Sequence, residues 1–158
     1  MTKIRHSVLL TTSCIVFNKW KILLIKYGKN KWEREGICNW IWWHIEAGEW
    51  IIQSAKREIK EESWLDLEVR LKWIIHTTNF FGKDYMMYIT VSYSDTNIVT
   101  NNEEWELFRA DPKDLNNYKI FENVKMFVDY ISQTWENEVF TAKNIYDWWW
   151  KLLKFEIE

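Results

Sequence analysis

Turn-forming residues are scarce in this chain of 158 residues, which has four glycines and one proline. Average usage near 7% would supply about 11 glycines at this length. A chain with several turns must therefore make them from other residues. Cysteine is also sparse: Cys14 and Cys38 alone form no disulfide framework and no zinc site. Neither sign of charge dominates. Lys and Arg number 21 against 23 Asp and Glu, interspersed to a net charge of −2, so no broad basic surface argues for nucleic-acid binding. A small anionic ligand would need local cations or a metal. No run approaches the roughly 20 apolar residues of a membrane span. The start, MTKIRHSVLLTTSCIVF, is broken by Thr and Ser and lacks a small-residue cleavage site, so it does not read as a signal peptide. The expectation is one cytoplasmic domain over residues 1–158, with no membrane and no nucleic-acid partner.

What is present in excess is tryptophan, 13 residues. Elements can be placed around it. Residues 7–17 and 21–27 are apolar and β-branched and are separated by Asn18-Lys19-Trp20, which predicts two strands and a tight turn. The third of those positions is where a hairpin favours glycine, because primed turns need positive φ. A charged loop at 28–36 precedes strand and turn over 37–46. Ile52, Ala55 and Ile59 give residues 51–63 a helical apolar stripe. Trp64 then stands where a helix commonly takes glycine in the left-handed conformation. Strands are expected at 67–76, 85–93 and near 106–110, with a polar loop from Ser94 to Asn102. Pro112–Asn117 suits a helical turn and 122–133 a helix, through Val124, Phe127, Val128 and Ile131. Asp147-Trp148-Trp149-Trp150 leads into an alternating tail, Lys151–Ile157. This order of elements is that of a mixed α+β domain.

Within the first helix Glu58, Glu61 and Glu62 stand at i, i+3 and i+4, on one strip beside the apolar stripe. Like charges so spaced repel by about 0.2–0.5 kcal/mol per pair. A hard divalent cation with oxygen ligands would offset the repulsion. The bland reading is a solvated face tempered by Lys56, Arg57 and Lys60.

The flanks favour the cation. Glu49 lies eight residues before Arg57, giving Glu, seven residues, then Arg57-Glu58-Ile59-x-Glu61-Glu62-x-Trp64-Leu65. This resembles the Nudix box of the Nudix hydrolases, of MutT type, over about residues 43–65: Gly, five residues, Glu, seven residues, Arg-Glu, an aliphatic, x, Glu-Glu, x, Gly, an aliphatic. Trp43 and Trp64 occupy the two glycine positions. His44-Ile45-Glu46-Ala47-Gly48-Glu49 is similar to the family's GGHIExGE turn, and Glu103-Glu104-Trp105-Glu106-Leu107 to its later EEGEL segment.

The resemblance implies an α/β/α sandwich with a mixed central sheet. It also implies hydrolysis of a diphosphate bond in a nucleoside triphosphate or another nucleoside diphosphate derivative, with Mg²⁺ or sometimes Mn²⁺. An oxidised purine deoxynucleotide, giving the monophosphate and pyrophosphate, is the substrate it suggests. By position Glu58, Glu61 and Glu62 would ligate the metal, joined by the backbone carbonyl of Trp43. One of the three would orient or deprotonate water. Arg57 would hold a glutamate, Glu49 would be a supporting carboxylate and Glu104 an outer one. Asn39 would face the base, although Asn before a turn is also ordinary turn chemistry. Phe80, Phe81 and Tyr85 are candidate base-pocket walls, with core packing as the commoner role. His44 is expected to be structural, and His6 and His76 have no partner visible in sequence. The protein would act on a small nucleotide as a monomer or homodimer.

Tryptophan falls on family glycines at 42, 43, 64 and 105, and on expected turns at 20 and 148–150. Some bacterial lineages read UGA as glycine where a common translation table reads tryptophan. The pattern fits UGA-encoded glycine written as Trp at most or all of the 13 positions. If the tryptophans are real, two alternatives stand: a Nudix-fold module that binds a nucleotide without turnover, and an aromatic-rich interaction domain.

Overall fold

A computed structural model describes residues 6–29, 35–96, 101, 104–133, 138–149 and 151–158. The charged loop and the polar loop each fall partly outside them, as do Glu103, Trp32, Trp135 and Trp150.

The first hairpin joins β1 (Leu9–Asn18) to β2 (Lys21–Tyr27) through Lys19 and Trp20. Its positive φ falls on Lys19, at 53°, and not on Trp20. Positive φ at the first central position is the pattern of a II′ turn, so the demand for glycine sits one residue earlier than the sequence suggests. β3 (Cys38–Asn39) pairs with β2, and after Trp40 the chain crosses to β4 (Ile41–His44), which pairs with β1. The helix α1 (Ile51–Ser63) follows, with the bounds that its apolar stripe predicts.

Next come β5 (Val69–Phe80) and β6 (Lys83–Tyr93), both longer than expected because they form a hairpin. Its tip, Phe81-Gly82, has φ of 51° and 70°, as a I′ turn requires. The remaining elements are β7 (Trp105–Ala110), a 3₁₀ helix at Pro112–Asn117, α2 (Glu122–Gln133), β8 (Phe140–Tyr146) and β9 (Leu152–Ile157). β8 is absent from the sequence reading. Burial alternates along it, but polarity does not follow: Asn144 is on the more buried face and Ile145 on the other.

Among the described residues the strands form one sheet in the order β3-β2-β1-β6-β5-β8-β9, with β4 added to β1 and β7 to β2. β1 with β6 and β5 with β8 run parallel, and the other pairs are antiparallel. The sheet is therefore mixed. Alternation along β1 and β2 divides the core. Cys14, Val16, Leu23 and Ile25 meet Ala55 and Ile59 of α1 on one face. Ile15, Phe17, Ile22 and Leu24 join Val124, Phe127 and Val128 of α2 on the other. One helix on each face of a mixed sheet is the expected α/β/α layering. Cys14 and Cys38 are buried free thiols, and burial pushes the Cys14 thiol up to about 12. Neither is poised for thiolate chemistry.

α1 ends at Trp64, whose backbone is left-handed (φ 60°, ψ 12°) and whose N–H donates to the Lys60 carbonyl. The indole is 76% exposed. A left-handed non-glycine residue costs about 1–2 kcal/mol, and so exposed a side chain has little packing to offset it. Trp64→Gly is expected to raise stability by about 1 kcal/mol. A urea unfolding curve with an unchanged or lower midpoint would show that the indole contributes more than the backbone loses.

Candidate active site

The spacing that buries Ala55 and Ile59 against the sheet also carries Glu58 and Glu62 inward. They are 2% and 6% exposed, whereas the Glu61 side chain is 59% exposed. The three glutamates are thus not one solvated strip: two lie within the buried face of α1 and one stands beside it. Buried carboxylates are costly unless paired. Burial, opposed by the neighbouring Arg57, pushes the Glu58 carboxyl up to about 7.

Arg57 supplies the pairing. Its Nε donates to Glu49 Oε1 at 2.6 Å and its Nη2 to Glu49 Oε2 at 2.9 Å, a bidentate fork. Its Nη1 donates to Glu58 and, at 3.1 Å, to Glu61 Oε2. Glu49 Oε2 accepts the Glu46 N–H as well, while the Glu49 N–H donates back to the Glu46 carbonyl. That turn passes through Gly48 at φ 87°, a conformation glycine adopts without penalty. The guanidinium holds the Glu49 carboxyl down at about 2. One cation therefore ties the loop before α1 to two acids of the helix.

α1 packs against β1, β4 and β5. On β4, Trp43 pairs with Thr12 and is partly exposed, while Trp42 is buried in the opposite-face core. At the other end of α1, Trp105 Nε1 donates to the Glu62 carbonyl at 3.4 Å. This contact brings the start of β7, with the exposed Glu104 next to it, to the glutamate helix. Glu58, Glu61, Glu62 and a strand carbonyl at Trp43 offer only hard oxygen donors. Two of those acids are buried one helical turn apart, so the donor set fits Mg²⁺ or Mn²⁺.

On the α2 face lies a small pocket lined by Asn39, Trp40, Trp42, Phe80, Phe81 and Asn123, among others. The structure thus brings Asn39, Phe80 and Phe81 together. Tyr85 does not line the pocket. It packs behind, against Phe80 and Trp42, and His44 packs on the same two rings of Trp42 and Tyr85. Asn39 Oδ1 accepts the Trp40 N–H at 2.9 Å. Asn123, near the start of α2, is 7% exposed, and its Oδ1 has no hydrogen-bond partner among the described residues. Sequence reasoning misses Asn123. The usable signal was a polar residue beside Val124, on the helix face destined for the core.

Order and pairing of the strands, with a glutamate helix on one face and a second helix on the other, decide the architecture. The fold is that of the Nudix hydrolases. The MutT mutator protein of Bacillus halodurans superposes with a TM-score of 0.79 at 20% identity, covering 96% of this chain and 98% of that one. The MutT protein of Methanosarcina mazei Go1 gives 0.68 at 14% identity, over 84% and 100%. A NUDIX-family hydrolase from Clostridium perfringens gives 0.60 at 19%, over 80% and 99%. No family model matches the chain, and no curated protein matches it in sequence. On this fold, residues 43–65 form the end of β4, a loop, the helix α1 and its cap.

The Arg57 fork makes a prediction. Arg57→Ala is expected to cost about 1.5–3 kcal/mol, the worth of hydrogen bonds to a charged group. A double-mutant cycle with Glu49→Gln should give a coupling above about 0.5 kcal/mol. Strict additivity would mean that the loop and helix are not joined through this pair.

Proposed function

We propose that the chain is a Nudix pyrophosphohydrolase that cleaves a diphosphate bond in a nucleoside triphosphate or related nucleoside diphosphate derivative, giving the monophosphate and pyrophosphate. The carrying observation is Glu58 and Glu62, buried on α1, with Glu61 beside them and Arg57 forked onto Glu49. Glu58, Glu61, Glu62 and the Trp43 carbonyl would hold Mg²⁺ or Mn²⁺. Bound there, the metal would neutralise charge on the diphosphate and lower the pKa of water. Arg57 fixes Glu49 as the supporting carboxylate and steadies the loop. One of the three helix glutamates orients or deprotonates the attacking water. Asn39 and Asn123 supply polar atoms that would read a base edge between aromatic walls, with an oxidised purine as the leading candidate.

We further propose that most of the tryptophans are UGA-encoded glycine. The pocket supports this reading. With Trp40 and Trp42 in its wall the free volume is about 20 Å³, room for about one water and none for a base. Glycine at both positions would open it. Trp64 supports the reading from a second direction, since its backbone is the one glycine prefers.

A peptide mass spectrum of the native protein across residues 38–57 tests the recoding at 40, 42, 43 and 50. Glycine there is expected. Tryptophan would favour the binding module without turnover. The activity is tested on glycine-restored protein by Mg²⁺-dependent pyrophosphate release from a panel of nucleoside triphosphates. Glu61→Gln and Glu62→Gln are each expected to lower kcat by about 100-fold or more, the scale of losing one group that stabilises charge in the transition state. Nucleotide binding with no pyrophosphate release, or release untouched by both substitutions, would overturn the hydrolase assignment.

A further inference from the structure

Two histidines left over from the glutamate site converge with an aspartate. His6 precedes β1, His76 is on β5 and Asp84 on β6, and each offers one ligand atom, all within 4.8 Å of one another. His6 Nε2 lies 2.6 Å from Asp84 Oδ2. The His6 and His76 rings meet edge to face, with centroids 5.4 Å apart. His76 pairs with Met86 across the β5–β6 ladder, and Asp84, two residues before Met86, shares that face.

Three features distinguish this cluster from a surface ion pair. His76 Nε2 is shielded from solvent and has no hydrogen-bond partner among the described residues. A buried ring nitrogen without a partner is costly unless something satisfies it. Asp84 is oriented from behind: its Oδ1 accepts the Asn79 N–H at 2.8 Å, which leaves Oδ2 to face the histidines. Asn79 is itself fixed, at φ 60° in the irregular end of β5, with its side chain donating to the Tyr146 carbonyl at 3.1 Å. Such backing of a carboxylate is what ligand residues commonly have.

We propose that His6, His76 and Asp84 form a second metal site, for a borderline transition ion such as Zn²⁺ and distinct in chemistry from the all-oxygen glutamate site. Imidazole donors suit Zn²⁺ and its neighbours, whereas Mg²⁺ takes oxygen. Two histidines and one carboxylate leave at least one coordination position for water or a ligand. His76 also lines an open depression with Ile74, Met86, Thr141 and Lys143, which gives an ion a route in. The ion would tie the segment before β1 to the β5–β6 ladder.

The test uses the full chain, freed of metal by chelation and titrated with Zn²⁺ by calorimetry and with Co²⁺ by visible absorption. With excess Mg²⁺ present to occupy the glutamate site, one equivalent is expected to bind, with Co²⁺ bands of a site containing nitrogen ligands. His6→Gln, His76→Ala and Asp84→Asn are each expected to weaken binding by about 10-fold or more. A Glu61→Gln, Glu62→Gln double variant and His44→Ala should retain the site in full, so failure of the hydrolase proposal leaves this one standing. Because Asp84→Asn could disturb the Asn79 contact, the exposed His6→Gln serves as the variant least able to unfold the protein. Binding that survives His6→Gln and Asp84→Asn, or that disappears in the glutamate double variant, would overturn the proposal.

Discussion

Arg57 is the constraint on which the candidate site depends. α1 can bury Glu58 only because a guanidinium lies beside it, and that guanidinium is steady only because Glu49 grips it with both oxygens. An isolated carboxylate at 2% exposure would be protonated or would pull the helix off the sheet. The fork also reaches across sequence, eight residues back to a loop whose own turn is closed by Glu46 and Gly48. Lysine could neutralise the same charges but could not hold two oxygens in one plane. Helix packing, loop shape and carboxylate charge are therefore settled together by one side chain.

β1 does for the fold what Arg57 does for the site. It shares hydrogen bonds with β2, β4 and β6 and is buried from Thr11 to Asn18. Because successive residues face opposite layers, β1 and β4 deliver α1 to one face and the aromatic pocket to the other. The neighbouring residues Trp42 and Trp43 are divided in the same way, one into the pocket wall and one beside the glutamate helix.

What could be read in sequence was local. α1 was legible because Ile52, Ala55 and Ile59 repeat at helical period and Lys and Glu fill the other positions, so its bounds agree with the structure. The first two strands were legible from unbroken apolar runs. β8 was not, since a strand beside the sheet edge with Lys143 and Asn144 in it carries little alternation in polarity. The burial of Glu58 and Glu62 could not be seen either. Charge patterning alone describes a solvated face, and only the sheet beneath α1 decides otherwise. Asn123 and the His6–His76–Asp84 cluster are harder still: His6 and Asp84 are 78 residues apart, and their meeting depends on the parallel register of β1 with β6.

Eight of the ten described tryptophans fall into two physical groups, with Trp43 and Trp105 between them. Trp20, Trp50, Trp64, Trp148 and Trp149 are 63% to 88% exposed. They stand at a hairpin tip, at the two ends of α1 and in the turn before β9. Large apolar side chains contribute little at such positions, and a left-handed backbone at Trp64 opposes its own side chain. Trp40, Trp42 and Trp73 are instead 3%, 9% and 0% exposed. Trp73 sits at a register shift in β5, and its Nε1 has no hydrogen-bond partner among the described residues. A buried indole normally finds a partner, and an irregularity in a strand is a usual place for glycine. Trp73 nevertheless packs on Phe127, Phe140 and Phe155, so its side chain is part of the core as it stands. Trp40 and Trp42 stand in the wall of the small pocket on the α2 face, so the size of that pocket is set by these two indoles.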